Sequence, residues 1–301
     1  MQPAKPRPDN LPLAVGVILV TVLALSLGDA LIKLTSSSFV IWQIFVIRSL
    51  IVIPCLLTLL LIRPGRLRLP AATGWVALRS AMLVAMWICY YLALPHLSLP
   101  AAAAAYYTLP IFLTLFSALV IGERITRLGW IAVALGFLGV LLILRPRLGD
   151  FNAFALLPLI AAMLYAGAMI LTRTRCREAS PLLLSLALNI GFVVTGGLAA
   201  AGIALLPAGA RQGFLLAPWA GMGGAEWLSM ALLAGALLIG SIGAAIAYQN
   251  GPPAVIGAFD FAYVAFAVLW GAVFFAELPD LISAIGMALI VGAGILSLRS
   301  R

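Results

Sequence analysis

A short charged stretch occurs twice in the chain, as "LVIGERITRLGW" (Leu119 to Trp130) and as "FFAELPDLISAI" (Phe274 to Ile285). In both copies a glutamate stands between two apolar runs, and Glu277 follows Glu123 by 154 residues. Each glutamate precedes the last apolar run of one half of the chain, where a carboxylate can cap the N-terminus of a helix. The recurrence predicts two related halves, with Glu123 and Glu277 as helix caps at opposite faces of a membrane.

The composition excludes a globular protein in water. Of the 301 residues, 64% are hydrophobic and 9% are charged, whereas a soluble domain carries about 25% charged residues. A membrane-crossing helix needs roughly 20 apolar residues. Ten such runs lie at about residues 12–34, 39–62, 75–94, 99–121, 128–144, 151–171, 182–206, 227–248, 252–275 and 279–298. The sequence therefore predicts an all-α integral membrane protein with ten transmembrane helices.

The net charge of +9 is compatible with a nucleic-acid partner, but the positions of the basic residues indicate a membrane topology instead. With the N-terminus inside, twelve of the eighteen basic residues fall in inner segments, and the outer links hold Arg145, Arg147 and Arg211. Inner loops collect Lys and Arg because positive charge resists translocation. This bias predicts a multi-pass protein of the cell inner (plasma) membrane, surrounded by lipids, with both termini cytoplasmic and no nucleic-acid partner.

The 154-residue shift also places Arg145 on Arg299 and Gly139 on Ala293. Each half then holds five helices, in residues 12–145 and 151–299. Because five is odd, the second half must enter the membrane with the opposite orientation. Inverted repeats of this kind place a substrate site near the bilayer midplane and suit alternating access. Since both halves lie in one chain, we expect a functional monomer.

These features resemble the drug/metabolite transporter superfamily with tandem EamA-type domains. The resemblance rests on "GERIT…G…LG" (Gly122 to Gly139), on "AELPD…G…G" (Ala276 to Gly294), and on Asp29, Lys33 and Arg48 in the first two apolar runs. It implies a ten-helix secondary transporter with a small-molecule substrate and no cofactor. The YddG-type branch of the superfamily exports aromatic amino acids, which implies the same substrate class here.

Ionisable residues inside apolar runs cost about 2.5–3.5 kcal/mol on insertion scales and usually face the interior of the bundle. Asp29 and Lys33 are four residues apart, so they either pair locally or bring one group to a substrate or proton. Arg48 acts either as a hydrogen-bond hub or as a ligand for a carboxylate. Arg79, near the inner end of the third run, is expected to extend its side chain to the interface. Asp260 either lines a cavity, where it binds an amine or carries a proton, or bonds between helices.

Tyrosines deep in the runs combine an apolar face with one hydrogen-bonding group, which suits an amphipathic solute. Together with the polar residues near the predicted midplane, they form the candidate substrate-binding set. The set is Trp42, Arg48, Tyr90, Tyr106, Tyr107, Tyr165, Asn189, Tyr248, Gln249, Asp260 and Tyr263.

The sequence thus predicts a secondary transporter that exports small amphipathic metabolites, above all amino acids with aromatic or hydrophobic side chains. No GxxxxGK[ST] phosphate loop is present, so direct coupling to ATP is not encoded. A channel or a lipid flippase is the alternative, although a channel would favour rings of like polar groups along one pore.

An enzyme is disfavoured. Asp29 is not embedded in a GxGD motif and Asp260 has no preceding tyrosine, which argues against an intramembrane aspartyl protease. Three isolated cysteines and one histidine offer no metal-ligand spacing.

Overall fold

The computed structural model of the chain describes residues 9–35, 39–62, 73–93, 96, 103, 105–145, 152–275 and 279–299, with all of their side chains except those of residues 29, 32–35 and 275. Within these residues every regular element is a helix, as predicted. The principal helices are α1 (Leu11–Thr35), α2 (Ile41–Ile62), α3 (Thr73–Ala93), α4 (Leu109–Phe116, continued by a π-helical turn over Ser117–Ile121), α5 (Arg127–Leu144), α6 (Leu156–Thr174), α7 (Pro181–Ala204), α8 (Gly224–Asn250), α9 (Pro253–Asp260 and Ala262–Phe275) and α10 (Leu281–Arg299).

Nine of the described helices match predicted runs in position and length, whereas α4 is described only over Leu109–Ile121 of the run predicted at 99–121. Nine segments of the described chain are long and apolar enough to cross a membrane, and the apolar helix at Leu109–Ile121 is shorter. In lipid, every backbone N–H and C=O must be bonded within the protein, which a helix achieves by itself. The prediction of an all-α, multi-pass membrane protein is therefore confirmed.

The links between helices gather at two ends of the bundle. At one end, which we call the Asp9 end, Asp9 forms ion pairs with Arg173 in the last turn of α6 at 2.8 Å and with Arg177 just after α6 at 2.6 Å. A cavity of about 250 Å³ brings Asp9 together with the α4–α5 link, the α8–α9 link and Ser297 of α10. The start of α1 and the ends of α4, α6, α8 and α10 thus share this end.

Other described links lie at the opposite end, which we call the Trp42 end. Trp42 at the start of α2 donates a hydrogen bond to Leu215 in the α7–α8 link. Asn152 before α6 donates to the main-chain oxygen of His96 after α3. Links therefore alternate between the ends, and the chain passes from His96 at one end to the α4–α5 link at the other. Within the described residues, this alternation fits nine helices long enough to cross a membrane and one shorter apolar helix.

Helices of the first half pack mainly on helices of the second. The most extensive contacts pair α5 with α10, α1 with α8, α2 with α7, and α3 with α6. Small residues allow the closest approach: a Cβ atom added to Gly139 would lie 2.6 Å from the main-chain oxygen of Gly286. Backbones in membranes approach this closely where neither residue carries a side chain.

The expectation that Glu123 caps α5 is wrong. The cap is Thr126, whose side chain accepts a hydrogen bond from the Gly129 amide at 3.2 Å. Gly122 adopts a left-handed φ of +79° after the π-helical turn, and four residues, 123–126, separate it from the start of α5 at Arg127. Glu277 lies outside the described residues.

At the start of α10, Asp280 accepts a hydrogen bond from the Ser283 amide at 3.0 Å. The same carboxylate pairs with Arg145, at the end of α5. Arg145 holds the pKa of Asp280 well below its usual range, so this exposed pair stays ionised at physiological pH. It joins the last helices of the two halves at the Trp42 end.

Candidate substrate site

A continuous series of tyrosine rings crosses the bundle from α3 to α9. Ring centroids are 5.3 Å apart for Tyr90 and Tyr106, 5.7 Å for Tyr106 and Tyr107, and 5.6 Å for Tyr107 and Tyr263. Tyr91 joins the series through Tyr90 at 6.0 Å. We call these five residues the tyrosine series. The structure thus brings together four of the predicted candidates from both halves, by edge-on and tilted contacts that aromatic rings favour.

Arg48 lies among aromatic rings in the interior. Its side chain is buried, and its guanidinium carbon lies 4.9 Å from the ring of Phe192, 5.1 Å from that of Phe45 and 5.9 Å from that of Trp87. Such cation–π contacts contribute about 0.5–2 kcal/mol each, and the larger values apply away from water. Arg48 therefore links α2, α3 and α7 through a positively charged plane.

Asn189 is buried on α7, one turn before Phe192. Its Nδ2 donates to the main-chain oxygen of Ser185 at 2.9 Å, within the same helix. Its Oδ1 is buried and accepts no hydrogen bond from the part of the chain that the structure describes. A buried acceptor of this kind is available to a ligand or a water molecule.

Asp260 lies where α9 is interrupted. It is the last residue of the first segment of α9, is 5% exposed, and accepts a hydrogen bond from the hydroxyl of Tyr248. The ring of Tyr165 lies 6.3 Å from that of Tyr248. Tyr165 is also within electrostatic reach of Asp260, Tyr106 and Arg79. The carboxylate and the two phenols thus form a buried polar group beside the tyrosine series.

Two predicted candidates lie toward the ends of the bundle. The side-chain amide of Gln249 donates to the main-chain oxygens of Cys176 and Ala179, at 2.7 and 2.8 Å, so it holds the α6–α7 link at the Asp9 end. Trp42 lies at the other end, where its Nε1 donates to Leu215. Their role in substrate binding stays a prediction. The side chains of Asp29 and Lys33 lie outside the described residues.

The α7–α8 link contributes to the site, which the sequence analysis missed. A short helix at Gly213–Leu216 places the ring of Phe214 6.1 Å from that of Tyr91. Gln43 at the start of α2 holds the same link, since its amide donates to the Ala220 oxygen at 2.8 Å and accepts from the Ala220 nitrogen at 2.9 Å. In the sequence, the aromatic residue of "GFLL" within this long link was the feature that could have indicated a contact between the link and the site.

The expectation that Arg79 reaches the interface is wrong. Arg79 is 1% exposed, and its Nε donates to Oγ1 of Thr172 at 2.6 Å. It faces inward because α3 packs along α6 on this side. The sequence did carry a signal, since Arg79 is spaced by helical turns from the buried residues Val76 and Leu83.

This fold, with nine described helices long and apolar enough to cross a membrane, is that of a multi-pass membrane protein. Residues 12–145 match the EamA-like transporter family. The match lies in the first half of the chain and points to a transporter rather than an enzyme.

Relatives named as transporters cover most of the chain. The pseudopaline exporter of Pseudomonas aeruginosa is 27% identical over 289 residues, which span 94% of this chain and 96% of that protein. A riboflavin transporter of Rhizobium johnstonii is 29% identical over 223 residues, spanning 73% of this chain and 68% of that protein. A solved crystal structure superposes with a TM-score of 0.80 over 97% of this chain and 99% of that one, at 21% identity. The last comparison establishes the fold alone.

Proposed function

We propose that this transporter exports small amphipathic metabolites, above all amino acids with aromatic or hydrophobic side chains. The observation that carries the proposal is the tyrosine series, with the Asp260–Tyr248 pair buried beside it. Tyrosine rings offer apolar faces for a side chain and hydroxyls for a polar end. A solute with one apolar and one polar part fits this combination.

The buried charged residues favour an amino acid over a polyanion as the transported solute. The candidate set near the tyrosine series contains one cation, Arg48, one carboxylate, Asp260, and the amide of Asn189, while the second buried cation, Arg79, lies nearer the Asp9 end. This set suffices for one carboxylate and one ammonium group. A nucleotide would require several Lys or Arg residues facing the solute, because each phosphate brings negative charge into a medium of low dielectric constant.

An alternating-access mechanism through a cavity between two inverted repeats, residues 12–145 and 151–299, is part of the proposal. The helix pairing supports this mechanism, because α1 packs on α8 and α3 packs on α6. If α1 corresponds to α6 and α3 to α8, exchanging the two repeats converts the first pair into the second. The tyrosine series also crosses between the halves. Rocking of one half against the other would open the site to each end in turn.

The proposed direction is outward, from the cytoplasm. The Asp9 end carries Arg173, Arg175 and Arg177, as expected of a cytoplasmic face of the inner membrane. The pseudopaline exporter, whose name states an outward direction, aligns over almost the whole chain. Because a single chain supplies both halves, we propose that the monomer transports.

The test is efflux from liposomes that contain the purified protein and labelled solutes. We expect faster release of phenylalanine, tryptophan and leucine than from protein-free liposomes, with saturation as the internal concentration rises. Saturation separates a transporter from a channel, and a labelled lipid in the same vesicles tests the flippase alternative. Release of a phosphorylated or polycationic solute, without release of any neutral amino acid, would refute the proposal.

A further inference from the structure

The guanidinium of Arg79 is held in place from one side. Its Nε donates to Oγ1 of Thr172, and the Thr172 hydroxyl in turn donates to the main-chain oxygen of Ala168 at 2.8 Å. The hydroxyl proton is therefore directed along α6, and the oxygen is turned toward Arg79. This arrangement fixes the plane of the guanidinium at a position where α3 and α6 pack together.

The positive charge of Arg79 has no partner of opposite charge within the described residues. Its Nη1 is buried and donates to no acceptor there. The aspartates whose side chains are described are engaged elsewhere: Asp9 with Arg173 and Arg177, Asp280 with Arg145, and Asp260 with Tyr248. No described glutamate is among the groups that act on Arg79.

The titratable groups that face Arg79 are Tyr165 on α6 and Cys176 in the α6–α7 link. Neither supplies a negative charge at neutral pH. A tyrosine has an ordinary pKa of about 10, and burial raises the pKa of the Cys176 thiol. A buried cation without an anion is strongly unfavourable, so this position favours an anionic ligand.

The class of ligand follows from the donor and its position. A guanidinium binds a carboxylate through two parallel N–H···O bonds, and a fixed plane makes this binding selective. Arg79 lies six residues into α3, about 9 Å from its start at the rise of an α-helix, and so between the Asp9 end and Tyr90. We propose that Arg79, oriented by Thr172, binds the carboxylate of the transported solute before its side chain reaches the tyrosine series. This inference rests on the proposed function but is tested separately from it.

The experiment compares pairs of ligands that differ only in the negative charge. The probes are benzoate with benzamide, and L-phenylalanine with L-phenylalaninamide, titrated by calorimetry into the purified protein in detergent. We expect the wild type to bind each carboxylate at least about tenfold more tightly than its amide. In Arg79→Gln and in Thr172→Val this ratio should fall to within about twofold, while Thr172→Ser should retain it.

Arg79→Lys keeps the positive charge but not the two parallel N–H donors of the guanidinium, so it should retain part of the preference for carboxylates. This variant replaces Arg79→Gln in the experiment if Arg79→Gln folds poorly. Arg175→Gln is the matched control, because it removes an exposed arginine at the same end and should leave the ratio unchanged. Equal binding of benzoate and benzamide to the wild type would overturn the inference, as would an undiminished preference in Arg79→Gln and Thr172→Val. Absence of amino-acid efflux with an Arg79-dependent preference for benzoate would refute the proposed substrate alone.

Discussion

The indole nitrogen of Trp42 donates a hydrogen bond of 2.8 Å to the main-chain oxygen of Leu215, which fastens the α7–α8 link to the start of α2. The ring of Phe214, the preceding residue, lies 6.1 Å from that of Tyr91, a member of the tyrosine series. In the proposed alternating-access mechanism, release of a solute at this end requires the link to move. A link that is held by a few hydrogen bonds can open locally without unfolding of the helix bundle.

The first prediction concerns this link. Gln43→Ala removes both hydrogen bonds to Ala220, each with a net contribution of about 0.5–1.5 kcal/mol. We expect amide hydrogen exchange in residues 211–223 to become about tenfold faster, as measured by mass spectrometry. Gln212→Ala is the control, because that side chain is exposed in the same link. Equal exchange in the two variants would show that Gln43 does not hold the link.

The second prediction concerns orientation. In a background with Cys55, Cys89 and Cys176 replaced by serine, a cysteine at Gln212 should react with a membrane-impermeant reagent in intact cells. A cysteine at Thr174 should react only after permeabilisation. Both positions are exposed and lie at opposite ends of the bundle. Labelling of position 174 in intact cells would reverse the proposed orientation.

The third prediction concerns whether Arg48 contributes to stability and transport through its positive charge or through the planar shape of its guanidinium. Arg48→Ala removes the cation from three rings and should lower stability by about 1–3 kcal/mol. Arg48→Lys should lose less stability but still slow efflux, because an ammonium group cannot reproduce the planar guanidinium. Melting temperatures in detergent and efflux rates measure the two effects. Arg175→Lys, which changes a more exposed arginine over Trp75, should alter neither. Normal transport and melting in both Arg48 variants would exclude a role as hub or ligand.

The fourth prediction concerns the size of the solute. Single replacement of Tyr106, Tyr107 or Tyr263 by alanine removes one ring from the tyrosine series. The KM for tryptophan should then rise more than the KM for glycine, because only the larger side chain reaches the missing ring. Tyrosine-to-phenylalanine variants at the same positions keep the ring and should preserve the difference. Equal losses for both solutes would mean that these rings only pack helices.

The fifth prediction concerns the contact between α5 and α10. A Cβ atom at Gly286 would lie 2.7 Å from the main-chain oxygen of Gly139, whereas one at Gly292 meets no atom within 4 Å. Gly286→Ala should therefore destabilise the protein by about 1–3 kcal/mol, as over-packing does. Gly292→Ala, in the same helix, should be neutral or slightly stabilising. Thermal unfolding in detergent compares the pair, and a higher melting temperature for Gly286→Ala would contradict the observed packing.

Much of the architecture could be predicted from the sequence because its signals are local. A run of about 20 apolar residues forms a helix in lipid whatever its neighbours are. The boundaries of α2 at Ile41–Ile62 and of α5 at Arg127–Leu144 accordingly fall within about two residues of the predicted ones. The recurrence of glutamate and arginine 154 residues apart also predicts two related halves, and this division of the chain stays a prediction.

The tertiary structure decided which polar side chains meet, because that depends on helices far apart in the sequence. The sequence placed Arg79 near the end of an apolar run, where extension to water was the expected outcome. Packing of α3 on α6 instead buries it against Thr172, 93 residues away. In the same way, only the folded link brings Phe214 to Tyr91. Hydropathy determines that a residue lies in the membrane, while contacts between helices determine what it faces there.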